Sequence, residues 1–240
     1  MNSHVNLWQP VDHTRIENLK IHFKEVFFSF DRCRHRFEVF KDFILCSAYA
    51  LRNSLRGIHQ GYLVQEVEDD FIKINTKYKR EDQLKIPQLF HIMKELMQAY
   101  TVPHDVLGDF YMEFEFGSEH NGQHFTPTGI SDLMAVMHGE SIAEKIKQNG
   151  FIKVSDSACG AGSTLLAMVK QVIEKGFNPF HHVYIEGVDI DRLVALMSYI
   201  QLTLWHVPAK IFVGDSLTLK YREEWITPAY VLGGWKSKLN

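Results

Sequence analysis

From Phe151 onward, short apolar runs alternate with amphipathic stretches, and the first run leads into a turn built almost wholly of small residues, Asp156-Ser157-Ala158-Cys159-Gly160-Ala161-Gly162. Few architectures accommodate that pattern. The runs Phe151 to Val154, Val183 to Val188 and Ile211 to Val213 read as strands, and Ser163 to Lys175 and Asp191 to Trp205 read as helices. Strands separated by helices require right-handed crossovers and therefore a parallel sheet. The first half has a different texture. From about Thr14 to Tyr100 apolar residues recur at helical spacing, as in Phe37, Phe40, Ile44, Ala48, Leu51 and Leu55, then Leu89, Ile92, Met93, Leu96 and Tyr100. The polar, glycine-bounded stretch from Gly117 to Gly122 divides the two textures. The expected organisation is a mostly helical domain over 1–116 and an α/β domain over 117–240.

A chain of 240 residues with 45% hydrophobic content can bury a substantial core, and its net charge of −3 provides no general attraction to nucleic acid. DNA binding would then need a local patch or a partner. The clusters Arg32, Arg34, Arg36 and Lys77, Lys79, Arg80 are best explained as solvated helix faces. Three cysteines, Cys33, Cys46 and Cys159, with no leader segment and no long apolar run, indicate a cytoplasmic protein without a membrane segment. Among 13 histidines, none beyond His181-His182 and the Cys33/His35 pair sits at ligand spacing, so no metal is expected.

Ligands of open parallel sheets lie beyond the carboxyl ends of the strands. The turn after the first strand lets backbone approach a ligand closely through Ala158, Cys159, Gly160, Ala161 and Gly162, with Ser163 available to cap the next helix. Asp156 is placed for the ammonium of a methionine moiety, Asp189 for both ribose hydroxyls, and Asp215 in Gly214-Asp215-Ser216-Leu217 for an adenine amino group, with Leu217 packing on the ring. Cys159 reads as a small packing residue. A dinucleotide fingerprint would need a third glycine where Ser163-Thr164-Leu165 stands, and a phosphate-cradling Gly-Lys-Ser/Thr is absent, which disfavours NAD and nucleoside triphosphates. The expected cofactor is S-adenosyl-L-methionine, in a shortened Rossmann-like methyltransferase domain.

With Gln123-His124-Phe125-Thr126-Pro127 ahead of them, these segments resemble, over roughly Asp105 to Leu217, the N6-adenine DNA methylases of the type I restriction-modification kind, the modification subunits and their phage or plasmid relatives. The resemblance implies that Phe125, Thr126 and Pro127 line the methionine end of the cofactor, that the Asp156–Gly162 turn is the cofactor loop, though Asp156-Ser157 replaces the usual Asp-Pro, and that Ser216 and Leu217 follow the adenine-binding Asp215. It also implies a base-positioning Asn-Pro-Pro-Tyr/Phe after a fourth strand, which the chain lacks. Asn178-Pro179-Phe180 falls at the amino edge of the sheet. Thr227-Pro228-Ala229-Tyr230 stands where the motif belongs, so Thr227, Pro228 and Tyr230 are the candidate catalytic residues. The implied function is adenine-N6 DNA methylation, alone or as a methylase subunit. The alternatives are a catalytically inactive cofactor-binding regulator or decoy and, more weakly, a dinucleotide-binding domain. So few strands leave a sheet edge and an apolar face to be covered by the helical half, a partner subunit or a second copy.

Overall fold

The computed structural model describes residues 11–54, 65–116 and 126–239. Among these residues six helices come first: α1 (His13–Phe28), α2 (Arg36–Asn53), α3 (Gln65–Thr76), α4 (Arg80–Gln83), α5 (Lys85–Ala99) and α6 (Val106–Glu113). Side-chain caps start several of them. Asp12 accepts from Arg15 N at 3.0 Å at the head of α1, and Asp105 accepts from Gly108 N at 2.8 Å at the head of α6. Their shared interior is aromatic, with Phe23 stacked on Phe110 at 4.3 Å and Phe27 on Phe114 at 4.8 Å.

The second half runs α7 (Thr128–Asn149), β1 (Ile152–Asp156), α8 (Ser163–Glu174), α9 (Pro179–His182), β2 (Val183–Asp189), α10 (Arg192–Leu204), β3 (Ala209–Asp215), β4 (Lys220–Ile226), α11 (Pro228–Leu232) and α12 (Trp235–Lys238). This is a four-stranded Rossmann-like α/β unit behind a mostly helical region. Strand order is β1-β2-β3-β4; the first three strands are parallel and β4 runs antiparallel to β3. Because the chain steps one strand at a time in one direction, right-handed crossovers put α8 and α10 on the same face.

That face is thoroughly covered. Helix α10 packs against β2 and β3 on one side and against α2 on the other. From β4, Trp225 reaches the helical region, stacked on Tyr49 at 6.0 Å beneath the Arg52 guanidinium. One connected apolar cluster therefore extends from Ile16 of α1 to Trp225. The opposite face carries the ion pairs Lys153–Glu186 and Lys210–Glu224, each at 2.7 Å, and is covered at its amino end by Tyr230 and Trp235 packed on Tyr184. Two features stay open among the described residues. β1 has no strand on its outer side, and α7 presents Ile130, Leu133, Met134 and Met137, all at least half exposed, along one stripe. Among the same residues no helix is long and apolar enough to cross a membrane, and no His/Cys/Asp/Glu group has metal-holding geometry.

Candidate functional site

A cavity of about 360 Å³ opens beyond the carboxyl ends of β1 and β2. Of the residues singled out from sequence, it gathers Thr126, Asp156, Ala158, Cys159, Gly160, Ser163 and Asp189. The turn after β1 is held from behind. Cys159 N donates to Val188 O at 2.9 Å, Gly160 N to the Asp189 carboxylate at 2.8 Å, and the Ser198 hydroxyl to Gly160 O at 3.0 Å. Gly162 has φ 98°, and a Cβ there would stand 2.6 Å from Ser198 Oγ, so only glycine lets the turn lie this close to α10.

Cys159 is buried beneath Gly187, whose added Cβ would meet the sulfur at 3.1 Å. Burial drives its thiol well above the ordinary range, which suits packing rather than nucleophilic chemistry. Cys46 is likewise buried and Cys33 is exposed. Asp189 is partly buried, and desolvation raises its carboxyl against the lowering effect of hydrogen bonds from Asp191 N and Gly160 N. Its Oδ1 and Oδ2 each take one backbone amide, which fixes the carboxylate at the cavity wall. Asp156 is more fully engaged: Oδ1 accepts from Ala158 N at 3.0 Å, and Oδ2 from the Thr164 hydroxyl. Carboxylates lining the cavity and backbone packed close behind them suit a ligand that combines hydroxyls with positive charge.

Several expectations need correction. Ser163 does not cap α8; the cap is Gly162, and the serine hydroxyl instead pairs with Ser131 of α7 at 3.0 Å. Asp215 ends β3, and Ser216 and Leu217 follow it in the β3–β4 connection; none of the three is in the cavity lining. There the Asp215 carboxylate accepts from Leu217 N and Thr218 N, bonds that lower its pKa, while Leu217 is 93% exposed. Pro127 starts α7 by accepting from Ile130 N and Ser131 N. Gln123, His124 and Phe125 lie outside the described residues.

The largest correction concerns Thr227, Pro228 and Tyr230. Because β4 is antiparallel, Ile226 pairs with Lys210 at the start of β3, so the segment after it emerges at the amino edge, opposite the cavity. Thr227 is fully buried there, its hydroxyl donating to Val207 O at 2.7 Å and accepting from Ala209 N at 2.8 Å. Tyr230 packs on Tyr184. Asn178-Pro179-Phe180 shares that edge, with Asn178 capping α9 and Trp235 donating to Phe180 O at 3.1 Å.

The cavity also includes Ala161 of the same turn, together with Asp105, Met134, Thr164 and Val194, four residues that the sequence did not mark as site residues. Asp105 is the most consequential. It caps α6, and nothing in the local sequence signals that the same side chain faces a cavity in the other half of the molecule.

A family model described as N-6 DNA methylase matches residues 103–231, just over half of the chain. No curated protein matches it. Among solved structures it is similar to a Listeria monocytogenes protein assigned as a class I S-adenosylmethionine-dependent methyltransferase, at 17% identity and a TM-score of 0.37, covering 74% of this chain and 54% of the other. The chain thus spans about half the length of that relative.

Proposed function

Because the chain belongs to the N-6 DNA methylase family, whose cofactor is S-adenosylmethionine, we propose that it takes part in methylating the N6 amino group of adenine in DNA, in the cytoplasm, as a subunit that acts with a partner or a second copy of itself. The observation that carries this reading is the convergence of Thr126, Asp156, the Ala158–Ala161 turn and Asp189 on one cavity. In this reading residues 117–240 carry the transfer chemistry and residues 1–116 buttress them.

Asp189 accepts the ribose hydroxyls, and the Gly160 amide that bonds it keeps the acceptor in place. The turn residues exclude water from the cofactor's central part, and Thr126 and Ser163 line the methionine end. When bound, the cofactor supplies an electrophilic methyl group on a sulfonium. Asp215 and Leu217 lie outside the cavity lining and meet the adenine ring only if the β3–β4 connection moves towards the cavity.

Orienting the target amine takes an amide or hydroxyl acceptor with a proline carbonyl, plus an aromatic stack. The described cavity lining contains neither an Asn nor an aromatic residue. The partner or second copy supplies this group, and the unpaired side of β1 with the apolar α7 stripe is the surface on which it docks.

Calorimetry with S-adenosylhomocysteine should give a saturable 1:1 isotherm that is strongly weakened in Asp189→Ala. Purified protein should also transfer labelled methyl to unmethylated adenine-containing DNA in fractions where it is associated. Absence of cofactor binding would sink the reading, and full transfer activity in a strictly monomeric fraction would remove the need for a partner.

A further inference from the structure

We propose that Asp105, from the helical region, is the carboxylate that receives the ammonium of the cofactor's methionine end, and that Gln201 is the positioning residue that holds it there. This rests on the cofactor reading above and assigns the ammonium to a residue other than Asp156.

The two carboxylates differ in which oxygens are committed. Asp156 spends both on its own turn, on Ala158 N and the Thr164 hydroxyl. Asp105 spends one. Gly108 N at 2.8 Å and Gln201 Nε2 at 2.7 Å both bond Oδ1, leaving Oδ2 without a hydrogen bond from the described residues. A Cβ on Gly108 would stand 2.3 Å from Oδ2, so the glycine keeps that oxygen's surroundings clear.

Burial makes this arrangement unusual. Asp105 is 5% exposed and lines the cavity, yet no cation among the described residues pairs with it. His104, its neighbour in sequence, is bonded to Asp109 at 2.7 Å instead. Desolvation pushes the Asp105 carboxyl upward, and the Gly108 and Gln201 hydrogen bonds offset this in part. A buried carboxylate with a vacant acceptor oxygen is a poor device for stability alone, and an ammonium is the group that relieves it.

Gln201 places that carboxylate against the cofactor turn. Its amide nitrogen donates both to Asp105 Oδ1 and to Ala161 O at 2.8 Å, and its amide oxygen accepts from Leu107 N at 3.1 Å. The side chain is fully buried on α10, so one amide ties the start of α6 to the turn after β1. The carboxylate thereby lies beside Ala161, next along the turn to Gly160, whose N bonds Asp189. Asp105 and Asp189 line the same cavity, so a ligand with ribose at one end and an amino acid at the other can meet both.

The test compares two ligands by calorimetry. S-adenosylhomocysteine carries the ammonium; 5′-methylthioadenosine keeps the nucleoside and sulfur but lacks the amino-acid end. Asp105→Asn retains the helix cap and the Oδ1 acceptor. It should weaken S-adenosylhomocysteine about tenfold or more, as expected for loss of a charge-assisted bond, and leave methylthioadenosine within about twofold. Asp105→Ser, a second capping residue without the charge, should behave the same way, and thermal unfolding reports whether either variant is folded. Gln201→Met should weaken S-adenosylhomocysteine by less, with the same selectivity. Unchanged S-adenosylhomocysteine affinity in Asp105→Asn, or equal weakening of both ligands, overturns the assignment while leaving the cofactor reading intact. If the unaltered protein binds neither ligand, the cofactor reading itself fails and the assignment falls with it.

Discussion

The two ends of the parallel sheet differ in what their polar groups are committed to. At the amino end Asn178, Thr227, Tyr184 and Trp235 each carry an internal hydrogen bond, and the aromatic rings close over them. Fold demands consume the donors and acceptors there. At the carboxyl end the side chains bond the turn while their remaining acceptor capacity lines a cavity. Letters that resemble a catalytic motif, such as Asn-Pro-Phe or Thr-Pro-Ala-Tyr, belong to the first end. Carboxylates on otherwise ordinary strand ends and caps belong to the second. Motif spelling is thus a weaker guide to chemistry than the strand direction that delivers it.

The strongest way to break this contrast is Asp189→Ala. If the carboxyl end is the binding end, loss of two hydroxyl contacts should weaken S-adenosylhomocysteine roughly 100-fold, read by calorimetry. Thr227→Val acts on the other end. It strips a buried hydroxyl that bonds Val207 O and Ala209 N, and should cost about 1–3 kcal/mol in denaturant unfolding while cofactor affinity stays unchanged.

A smaller effect separates folding from binding at the carboxyl end itself. The Asp105 carboxyl is raised by burial, so folding disfavours its ionised form. The stability it contributes is present at low pH and is lost as pH rises through the raised value. Asp105→Asn should therefore increase the midpoint of the ligand-free protein at neutral pH by a few °C, the size of about 1 kcal/mol in a chain of this length, and the gain should vanish towards acid pH. Thermal scans from acid to neutral pH check this. The smallest expected effect is Tyr230→Phe, which should leave labelled methyl transfer to DNA within about twofold. A large loss there would mean that the amino end contributes to catalysis after all.

Much of the α/β half was legible because its strands are apolar runs set between helices with clear starts. Asp191 caps α10, at the start read from sequence, while the cap of α8 is Gly162 and not Ser163, one residue from the expected place. Asp189 was legible for the same reason, since a strand end followed by a helix start fixes where its side chain goes. β4 was not. Lys-Tyr-Arg-Glu-Glu-Trp-Ile has a single fully buried residue, Trp225, and its direction is set by the connection through Leu219, a non-glycine residue with φ 56°. That one reversal carries Thr227, Pro228 and Tyr230 to the amino end. Asp105 escaped notice for another reason. Local pattern explains it completely as a cap, and its second role depends on Gln201, which lies 96 residues further along the chain.

The seclusion of Cys159 also decides how the protein can be handled at the bench. With Cys46 buried as well, a single thiol, Cys33, faces solvent. Maleimide chemistry on the unaltered chain should therefore attach one fluorophore, on the helical region rather than in the cofactor loop, giving a reporter of association that leaves the binding turn untouched.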